Sequence, residues 1–394
     1  MAKEKEKGVL EAVWGDMETL YGADETDGVL APSIICSSGS HAIDDILGCW
    51  GLLGGRLIQY AGKESSGKTL MSLMAVKEWQ KLSPKNWALW IDAEFAMDEE
   101  WARMMGVDVS PNRWKKWKTN DGAKIFARLC GVPHKDAAKD PKKLKTKAKP
   151  GLLDLIKERG GAEGSGLGLI VLDSIACIQP PLEQASIIGK SNMALQARFW
   201  PPVLRSITPM LAETGVTFIG INQVRTDPGK MFGDPTQTPG GAAWKHACSV
   251  MLHLIPVTGD GSKIMDGEEQ IGHVVRGRVD KNRGGPPFRK CEFSIQYYKG
   301  LVDKNVELAT LAVKYGVVDR PNNRTYVYKD DKWTSKEQFH TALLNQALAD
   351  IMLEDVKRAK ANGVRPVVIE EETPGDGMWA EVNELIPEKE EEEG

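Results

Sequence analysis

The sequence predicts an α/β protein with a mostly parallel central sheet that helices cover on both faces. Apolar strand patterns such as RLIQYAG, NWALWIDAEF, GLGLIVLDSI and VTFIGINQ alternate with helical patterns such as TLMSLMAVKEWQKL. Continuous apolar strands of this kind are typical of parallel strands buried on both faces. Three later strand patterns, SVMLHLIPV, HVVRGRVDKN and KCEFSIQYY, lie closer together along the chain. They predict an antiparallel extension of the sheet.

The 394 residues divide into four predicted parts. Residues 1–33 contain an amphipathic helix and a linker, and residues 34–302 form the α/β core. Residues 303–365 form a small mixed region, and residues 366–394 form an acidic tail that we expect to be disordered. Within the core, we predict an insertion at about residues 112–165.

Charge is unevenly distributed along the chain. The formal net charge is −4, but residues 370–394 hold eleven acidic residues against one Lys, so residues 1–369 carry a net +6. The stretch 134–150 alone contains seven Lys and two Asp. A basic body with an acidic tail is typical of nucleic-acid-binding proteins whose tail competes for the binding surface. A tail that only maintains solubility is the alternative.

Composition argues against several classes of protein. No apolar run approaches the roughly 20 residues of a membrane helix, and no apolar segment follows MAKEKEKG as it would in a secretion signal. The six Cys form no CxxC pair, and the six His are dispersed. This pattern argues against a disulfide framework or a structural metal and favours a reducing compartment. We therefore expect a cytoplasmic protein without a membrane partner.

A nucleoside triphosphate site is predicted where the strand pattern RLIQYAG meets the next helix. The run GKESSGKT fits G-x-x-x-x-G-K-[ST] in the strand–loop–helix context that this motif requires. Backbone N–H groups of the loop would surround the β-phosphate, Lys68 would reach the β- and γ-phosphates, and the Thr69 hydroxyl would bind Mg²⁺. The residues expected to bind the nucleotide here are Gly62, Lys63, Glu64, Ser65, Ser66, Gly67, Lys68, Thr69 and Leu70.

Acidic residues lie at the ends of two other buried strand patterns. LIVLDS places Asp173 at the carboxyl edge of the sheet, where ligands bind in open α/β sheets. We assign Asp173 to Mg²⁺ by way of a water molecule, with a strand-end capping role as the alternative. IDAEF offers Asp92 and Glu94 as the group that activates or positions water. Alternation puts both on one face, so their spacing alone does not choose between them.

Taken in order, these blocks resemble the core of bacterial RecA recombinases. The resemblance is carried by YAGKESSGKT, WIDAEFAMDEEWARMMGVD, LIVLDSIACIQP, FIGINQVR and MFGDPTQTPGGAAWKHACSV. It covers residues 9 to about 300, with weaker similarity to about residue 335. Phosphate-loop motifs alone would not separate recombinases from hexameric helicases, whereas the MFG…TPGG loop and the IDAE block do. The resemblance implies a RecA-type P-loop ATPase core that uses ATP and Mg²⁺.

The resemblance also implies roles in ATP binding and hydrolysis. Glu94 would activate the attacking water, and Gln223 would sense the γ-phosphate and couple it to DNA binding. Trp101 would lie against the adenine, with Asp98 as a contact to the base.

Contacts between subunits are implied in the same way. Lys281 and Arg283 match the basic pair that reaches into the neighbouring subunit's ATP site, with a surface salt bridge as the alternative. The predicted helix 9–22 would dock on the adjacent protomer and so build a filament.

Two DNA-binding loops are implied, at about residues 181–192 and after Asn222. In the second loop, Phe232 would wedge against or between bases, next to Met231. A hydrophobic anchor packed on the core is the alternative for Phe232. The further residues expected to contact DNA are Arg198 and Arg205 on one helix face, Gly240 and Gly241 where the backbone approaches phosphates, and Lys245.

The chain departs from the family pattern at several places. Besides the Lys-rich insertion, Thr226, Asp227 and Ala242 occur where more polar or basic DNA contacts are expected, and His246 replaces an aromatic residue near the subunit interface. The exact DNA contacts therefore stay open. The sequence does not separate a bacterial from a bacteriophage origin.

These observations predict an ATP-dependent DNA recombinase. It would polymerise on single-stranded DNA and promote pairing and strand exchange with homologous duplex DNA. One alternative is a ring helicase or DNA-repair motor on the same core. Another is a single-strand-binding protein whose assembly ATP regulates.

Overall fold

The computed structural model describes residues 34–133, 147–181, 193–226, 236–237, 239–301 and 304–364. The predicted N-terminal helix, most of the Lys-rich stretch, the centres of both predicted DNA loops and the acidic tail lie outside these residues. Among the described residues, no helix has the length and apolar character needed to cross a lipid bilayer.

Eighteen strands and eleven α-helices occur in the described part of the chain. The strands are β1 (Ile34–Cys36), β2 (Leu52–Leu53), β3 (Leu57–Gly62), β4 (Trp87–Asp92), β5 (Trp114–Lys118), β6 (Val132–Pro133), β7 (Lys147–Lys149), β8 (Leu167–Asp173), β9 (Thr217–Gln223), β10 (Arg225–Thr226), β11 (Thr236–Gln237), β12 (Val250–Pro256), β13 (Lys263–Asp266), β14 (Glu269–Asn282), β15 (Lys290–Gln296), β16 (Gly300–Leu301), β17 (Tyr326–Tyr328) and β18 (Asp331–Trp333). The helices are α1 (His41–Leu47), α2 (Lys68–Leu82), α3 (Glu99–Met104), α4 (Gly122–Cys130), α5 (Leu152–Glu158), α6 (Gly161–Ser165), α7 (Met193–Thr214), α8 (Gly241–Ala247), α9 (Lys304–Lys314), α10 (Lys336–Ala342) and α11 (Gln346–Ala361).

Ten of these strands form one sheet in the order β16-β15-β14-β12-β3-β9-β8-β4-β5, with β13 beside β14. The six strands from β12 to β5 are mutually parallel. The strands β13, β14, β15 and β16 are antiparallel to their neighbours. This topology confirms the predicted α/β fold with its antiparallel extension.

The register of the parallel strands brings the predicted site residues to one edge. Gly62 at the end of β3 pairs with Gln223 at the end of β9. Asp92 at the end of β4 pairs with Asp173 at the end of β8. Because β3, β9, β8 and β4 are adjacent, the four strand ends form a continuous row from which loops carry functional side chains.

Aromatic side chains fill the layers that cover the sheet. On one face, the Trp79 ring of α2 lies against Gly168 of β8, where a Cβ atom would be 2.4 Å from the ring. On the other face, Trp200 of α7 packs edge-on against Trp244 of α8, with ring centroids 5.0 Å apart. Phe126 of α4 also packs edge-on against Trp200, at 5.7 Å. These contacts fix α4, α7 and α8 relative to one another.

Residues after 304 build a second hydrophobic cluster around the fully buried Phe339 and Met352. A buried carboxylate in α1 connects this cluster to the core, because Asp45 accepts hydrogen bonds from Lys314, Lys360 and Tyr315, at 2.8, 2.6 and 2.6 Å. The boundaries predicted for the four parts of the chain stay predictions.

Candidate active site

The phosphate loop between β3 and α2 depends on two glycines. A Cβ atom at Gly62 would lie 2.4 Å from both the Leu254 carbonyl oxygen and the Ser66 hydroxyl. Gly67 directly precedes α2 at its N-cap position with a φ of 82°, and a Cβ atom there would lie 2.3 Å from Ile295 of β15. A side chain at Gly62 would clash with the Leu254 backbone, and one at Gly67 would be strained by the left-handed backbone and would displace Ile295. The loop delivers the first N–H groups of α2 to one point, which is an arrangement suited to phosphate.

Lys68 is buried within this loop. Its ammonium group donates hydrogen bonds to the Lys63 carbonyl and, at 3.4 Å, to the Ser66 hydroxyl. Burial lowers the pKa of Lys68, while the carboxylates of Asp173 and Glu94 act in the opposite direction. The ammonium group is thus held among loop oxygens, where phosphate oxygens would provide the stronger partner.

The predicted metal ligands lie in contact with each other. The Thr69 hydroxyl donates a hydrogen bond to Asp173 at 3.1 Å. Burial raises the pKa of Asp173 to about 7, with a further contribution from the Glu94 carboxylate. A buried carboxylate of this kind is stabilised in its charged form by a nearby cation.

These residues fit Mg²⁺ rather than a metal that needs several protein ligands. In the part of the chain that the structure describes, no group of three or more His, Cys, Asp or Glu side chains could hold a metal ion. Mg²⁺ usually takes one or two protein ligands and completes its shell with phosphates and water. A hydroxyl and a carboxylate, both hard oxygen donors, suit that requirement.

The geometry separates the two candidate bases. Asp92 is 1% exposed and accepts backbone hydrogen bonds from Ala96 and Met97, at 3.1 and 3.2 Å. Its oxygens therefore shape the turn after β4. Glu94 is exposed and accepts hydrogen bonds from the Ser174 hydroxyl and, at 3.3 Å, from Gln223. This arrangement favours Glu94 as the group that faces the γ-phosphate. Sequence reasoning did not identify Ser174.

One pocket joins the phosphate loop to the antiparallel extension. It is lined by Ser65, Ser66, Gly67, Lys68, Thr69, Leu70, Trp101, His273, Ile295, Gln296 and Tyr297. Trp101 thus lies where an adenine beyond the phosphates could contact it. Asp98 is not among the lining residues and caps α3 by accepting a hydrogen bond from the Glu100 N–H at 2.9 Å. Its predicted contact with the base stays a prediction.

Sequence reasoning missed the wall of this pocket that β14 and β15 form. His273 lies on β14 and Tyr297 directly follows β15, with their ring centroids 5.7 Å apart. The Gln270 amide donates a hydrogen bond to the Tyr297 hydroxyl at 3.0 Å. The tyrosine that follows the strand pattern KCEFSIQ is the signal that could have indicated this wall, but the pairing register of β14 and β15 is needed to place His273 beside it.

Lys281 and Arg283 lie away from the phosphate loop of their own chain. In the sheet, Lys281 of β14 lies opposite Met251 of β12, and Met251 lies opposite Gln59 of β3. Gln59 is three residues before Gly62. The Arg283 N–H donates to the Ser249 carbonyl, one residue before β12 begins. Three residues of a strand span roughly 10 Å, so the basic pair is displaced toward the opposite edge of the sheet.

The side chains of this basic pair are anchored to the end of α8. Lys281 donates hydrogen bonds to the carbonyls of Lys245 and His246, at 2.7 and 2.9 Å. Arg283 donates to the His246 carbonyl at 3.0 Å. These carbonyl contacts leave the positive charges uncompensated by any carboxylate within the described residues.

The predicted DNA-contacting cations lie on two helices that pack together. Arg198 and Arg205 are exposed on α7, and Lys245 is exposed on α8. Gly240 is the N-cap of α8 with a φ of 82°, and Gly241, the first residue of α8, has a φ of 62° and open space where a Cβ atom would lie. The left-handed backbone explains the glycines here, since other residues rarely adopt it.

The base of the second predicted DNA loop is closed. The Asn222 amide donates to the Pro239 carbonyl at 2.9 Å, and β10 pairs with β11 just inside. Gln223 at this base is the residue that contacts Glu94. Met231 and Phe232 lie outside the described residues, as does most of the first loop.

Comparison with known proteins identifies the family. The family model described as the RecA N-terminal domain matches residues 21–114 and 156–302, which is more than half of the chain. Protein RecA of Streptomyces venezuelae is 31% identical over 382 residues, covering 95% of this chain and 91% of that protein. Protein RecA of Tropheryma whipplei is 34% identical over 318 residues, covering 80% and 64%. Protein RecA of a Mycobacterium species is 33% identical over 335 residues, covering 84% and 85%. With this similarity and the α/β core described above, the chain belongs to the RecA family of DNA recombinases.

Proposed function

We propose that the protein is a DNA-dependent ATPase that polymerises on single-stranded DNA and promotes pairing and strand exchange with homologous duplex DNA. The observation that carries this proposal is the 3.3 Å contact between Gln223 and Glu94. It connects the base of a predicted DNA loop to the residue that we assign to water activation. A DNA-induced movement of the loop would therefore act directly on hydrolysis.

The phosphate loop and its neighbours would position ATP for hydrolysis. Backbone N–H groups and Lys68 would bind the β- and γ-phosphates, and Glu94 would accept the proton of the attacking water. Thr69 and Asp173 would hold Mg²⁺, which neutralises charge on the phosphate oxygens. Trp101 would pack against the adenine.

Gln223 would couple the two ligands. Bound ATP would draw its amide toward the γ-phosphate, which changes the contact with Glu94 and the path of the loop that follows. Single-stranded DNA held by that loop would in turn fix Gln223 in the hydrolytic position. By linkage, ATP would strengthen DNA binding to the extent that DNA strengthens ATP binding.

Assembly would complete the ATP site. Lys281 and Arg283 would contact the γ-phosphate bound by an adjacent protomer, and the predicted helix 9–22 would dock on that protomer. The displacement of the basic pair from its own phosphate loop supports this assignment. DNA and ATP as substrates would place the protein in the cytoplasm of a bacterium or of a phage-infected cell.

A strand-exchange assay with the purified full chain, ATP and Mg²⁺ tests the proposal. We expect transfer of one strand of a linear duplex to a homologous single strand, and little transfer to a heterologous one. Electron microscopy with an ATP analogue should show open helical filaments, whereas closed hexamers would indicate a ring motor. ATP hydrolysis that single-stranded DNA does not stimulate would indicate a passive binding protein.

Mixing two inactive variants tests the shared ATP site. Lys68→Ala lacks the phosphate-loop cation, and the double variant Lys281→Ala/Arg283→Ala lacks the basic pair. Mixed filaments contain interfaces with an intact loop and an intact pair, so DNA-dependent ATPase activity should return. Co-assembled mixtures that stay inactive at every ratio would show that the basic pair acts elsewhere.

A further inference from the structure

A basic segment separates the two parts of the chain that match the RecA family model. The match stops at residue 114 and resumes at residue 156. The 41 residues between hold eleven Lys and one Arg against four Asp, a net charge of +8 in a chain whose net charge is −4. The described part of this segment places some of these cations on one surface.

Strand β5 and helix α4 provide the centre of this surface. The Arg128 guanidinium lies over the Trp117 ring, 4.8 Å from its centroid. Lys115 shares a strand face with Trp117, since side chains alternate along β5. Lys124 lies one helical turn before Arg128. Lys116, on the opposite face of β5, has its charge compensated by Glu99 at 2.6 Å.

Lys149 extends this surface beyond the end of α4. It pairs with Val132, which follows α4 directly. Two residues later, Gly151 packs so tightly on the end of α4 that a Cβ atom would lie 2.3 Å from the Gly131 nitrogen. Lys149 is therefore near the end of the helix that carries Arg128.

We define the basic edge surface as Lys115, Lys124, Arg128 and Lys149 on the half-buried Trp117. All four cations are exposed, and none has a carboxylate within 4.0 Å among the described residues. Exposed cations without partners repel one another, and this repulsion is relieved when a polyanion binds. A guanidinium held on an aromatic ring is preorganised for a phosphate group.

The start of α4 connects the basic edge surface to the first predicted DNA loop. The Gly122 N–H donates to the Gln179 carbonyl at 3.0 Å, and the Gln179 N–H donates to the Asn120 carbonyl at 2.8 Å. Gln179 lies two residues before the predicted loop 181–192. Gly122 also packs against Phe199 of α7, beyond the loop, where a Cβ atom would lie 2.6 Å from the ring. Helix α4 thus begins next to residues that precede and follow that loop in the chain.

We propose that the basic edge surface binds the phosphodiester backbone of DNA that extends beyond the two predicted loops. This inference rests on the proposed function, because it adds a contact outside the loops to a DNA-binding protein. Backbone recognition fits the residues, since Arg128 covers one face of the Trp117 ring and the ring also packs against the hydrophobic core. The connection to the loop favours DNA over the chain's own acidic tail as the occupant.

Charge removal with a matched control tests the proposal. The variant Lys115→Gln/Lys124→Gln/Lys149→Gln and the control Lys85→Gln/Lys263→Gln/Lys290→Gln lose the same charge from exposed positions. Affinity for a blunt duplex and for a single strand of equal length is measured at several salt concentrations. Each lost phosphate contact should lower the slope of log Kd against log salt by about one, so we expect a decrease of about three for the variant and none for the control. Arg128→Lys should reduce affinity less than Arg128→Gln.

The outcomes of these measurements show whether the basic edge surface binds DNA. A reduced slope for the duplex alone, or for both DNAs, supports the proposal and identifies which backbone is bound. Slopes equal to those of the control overturn it. An effect that disappears when residues 370–394 are removed would also overturn it, because the surface would then bind the tail. A variant that no longer self-assembles in the absence of DNA would overturn it as well. Wild-type protein that binds neither DNA would instead contradict the proposed function.

Discussion

The carboxylate of Asp45 offers the most direct test of how the small cluster after residue 304 is held to the core. Its side chain is 3% exposed and pairs with Lys314 and Lys360. The Tyr315 hydroxyl donates a third hydrogen bond. Burial alone would raise the pKa of Asp45, but these three donors hold it below its usual range. The substitution Asp45→Asn keeps the shape of the side chain and removes its charge.

The structure sets the expected magnitude. Removing one partner of a buried ion pair typically costs about 3–5 kcal/mol, because the other charge stays buried without compensation. The Lys314 side chain is 30% exposed and can regain water, whereas Lys360 is 13% exposed and stays desolvated. With one of the two cations able to rehydrate, we expect Asp45→Asn to lower the free energy of unfolding by about 3 kcal/mol.

Urea unfolding of the full chain measures this loss. Glu354→Gln is a matched control, because it removes a carboxylate from the exposed pair with Lys357 and should cost less than about 1 kcal/mol. Adding Lys360→Met to Asp45→Asn should recover part of the loss, since the double variant no longer buries an unpaired ammonium. A loss for Asp45→Asn no larger than that of the control would refute the reasoning.

Three further predictions concern the active site, the DNA loop and pH. Lys68→Ala should abolish ATP hydrolysis because the phosphates lose their main protein cation, whereas Glu94→Gln should bind ATP and stay in the DNA-bound form; normal hydrolysis by Glu94→Gln would return the role of base to Asp92. Phe232→Ala should weaken single-strand binding by roughly 1–3 kcal/mol per stacked base with an unchanged melting temperature, and the opposite result would favour a core anchor. Burial raises the pKa of Glu307 to about 7, so its contribution to stability is complete below pH 4.5 and is lost as pH rises through 7. The free energy of unfolding of the wild-type protein should therefore fall between pH 5 and pH 8, and Glu307→Gln should reduce this fall by up to about 3 kcal/mol. Denaturant unfolding at both pH values measures the difference.

The sequence was sufficient to predict which candidate site residues lie close together at the ends of the parallel strands. Gly62, Asp173 and Gln223 each end an apolar strand pattern, and parallel strands expose their carboxyl ends at one edge of the sheet. Local pattern therefore indicated proximity without knowledge of the strand order. The structure, and not the spacing, shows that the turn after β4 uses Asp92 and not Glu94 for its own N–H groups. The role of Glu94 as the base stays a prediction.

Contacts that depend on register or on distant parts of the chain were not predictable. His273 and Tyr297 line the pocket beside the phosphate loop because β14 and β15 pair in one particular register. A shift of β15 by one residue against β14 would turn Tyr297 to the other face and separate it from His273. From the sequence alone, Asp45 is likewise indistinguishable from any other acidic residue in a short helix. Its partners Lys314 and Lys360 lie 269 and 315 residues later in the chain.

The position of β3 in the sheet has a consequence for the synthesis of the protein on the ribosome. This strand, which leads into the phosphate loop, ends at Gly62, and its two neighbours are β9 and β12. The first of them begins at Thr217, some 155 residues later. At a synthesis rate of about 5–20 residues per second, roughly 8–30 seconds pass between the synthesis of the apolar segment LIQYAG and that of its first partner strand. During that interval the backbone groups of β3 lack their native partners, and an unpaired apolar strand is a site at which nascent chains can aggregate.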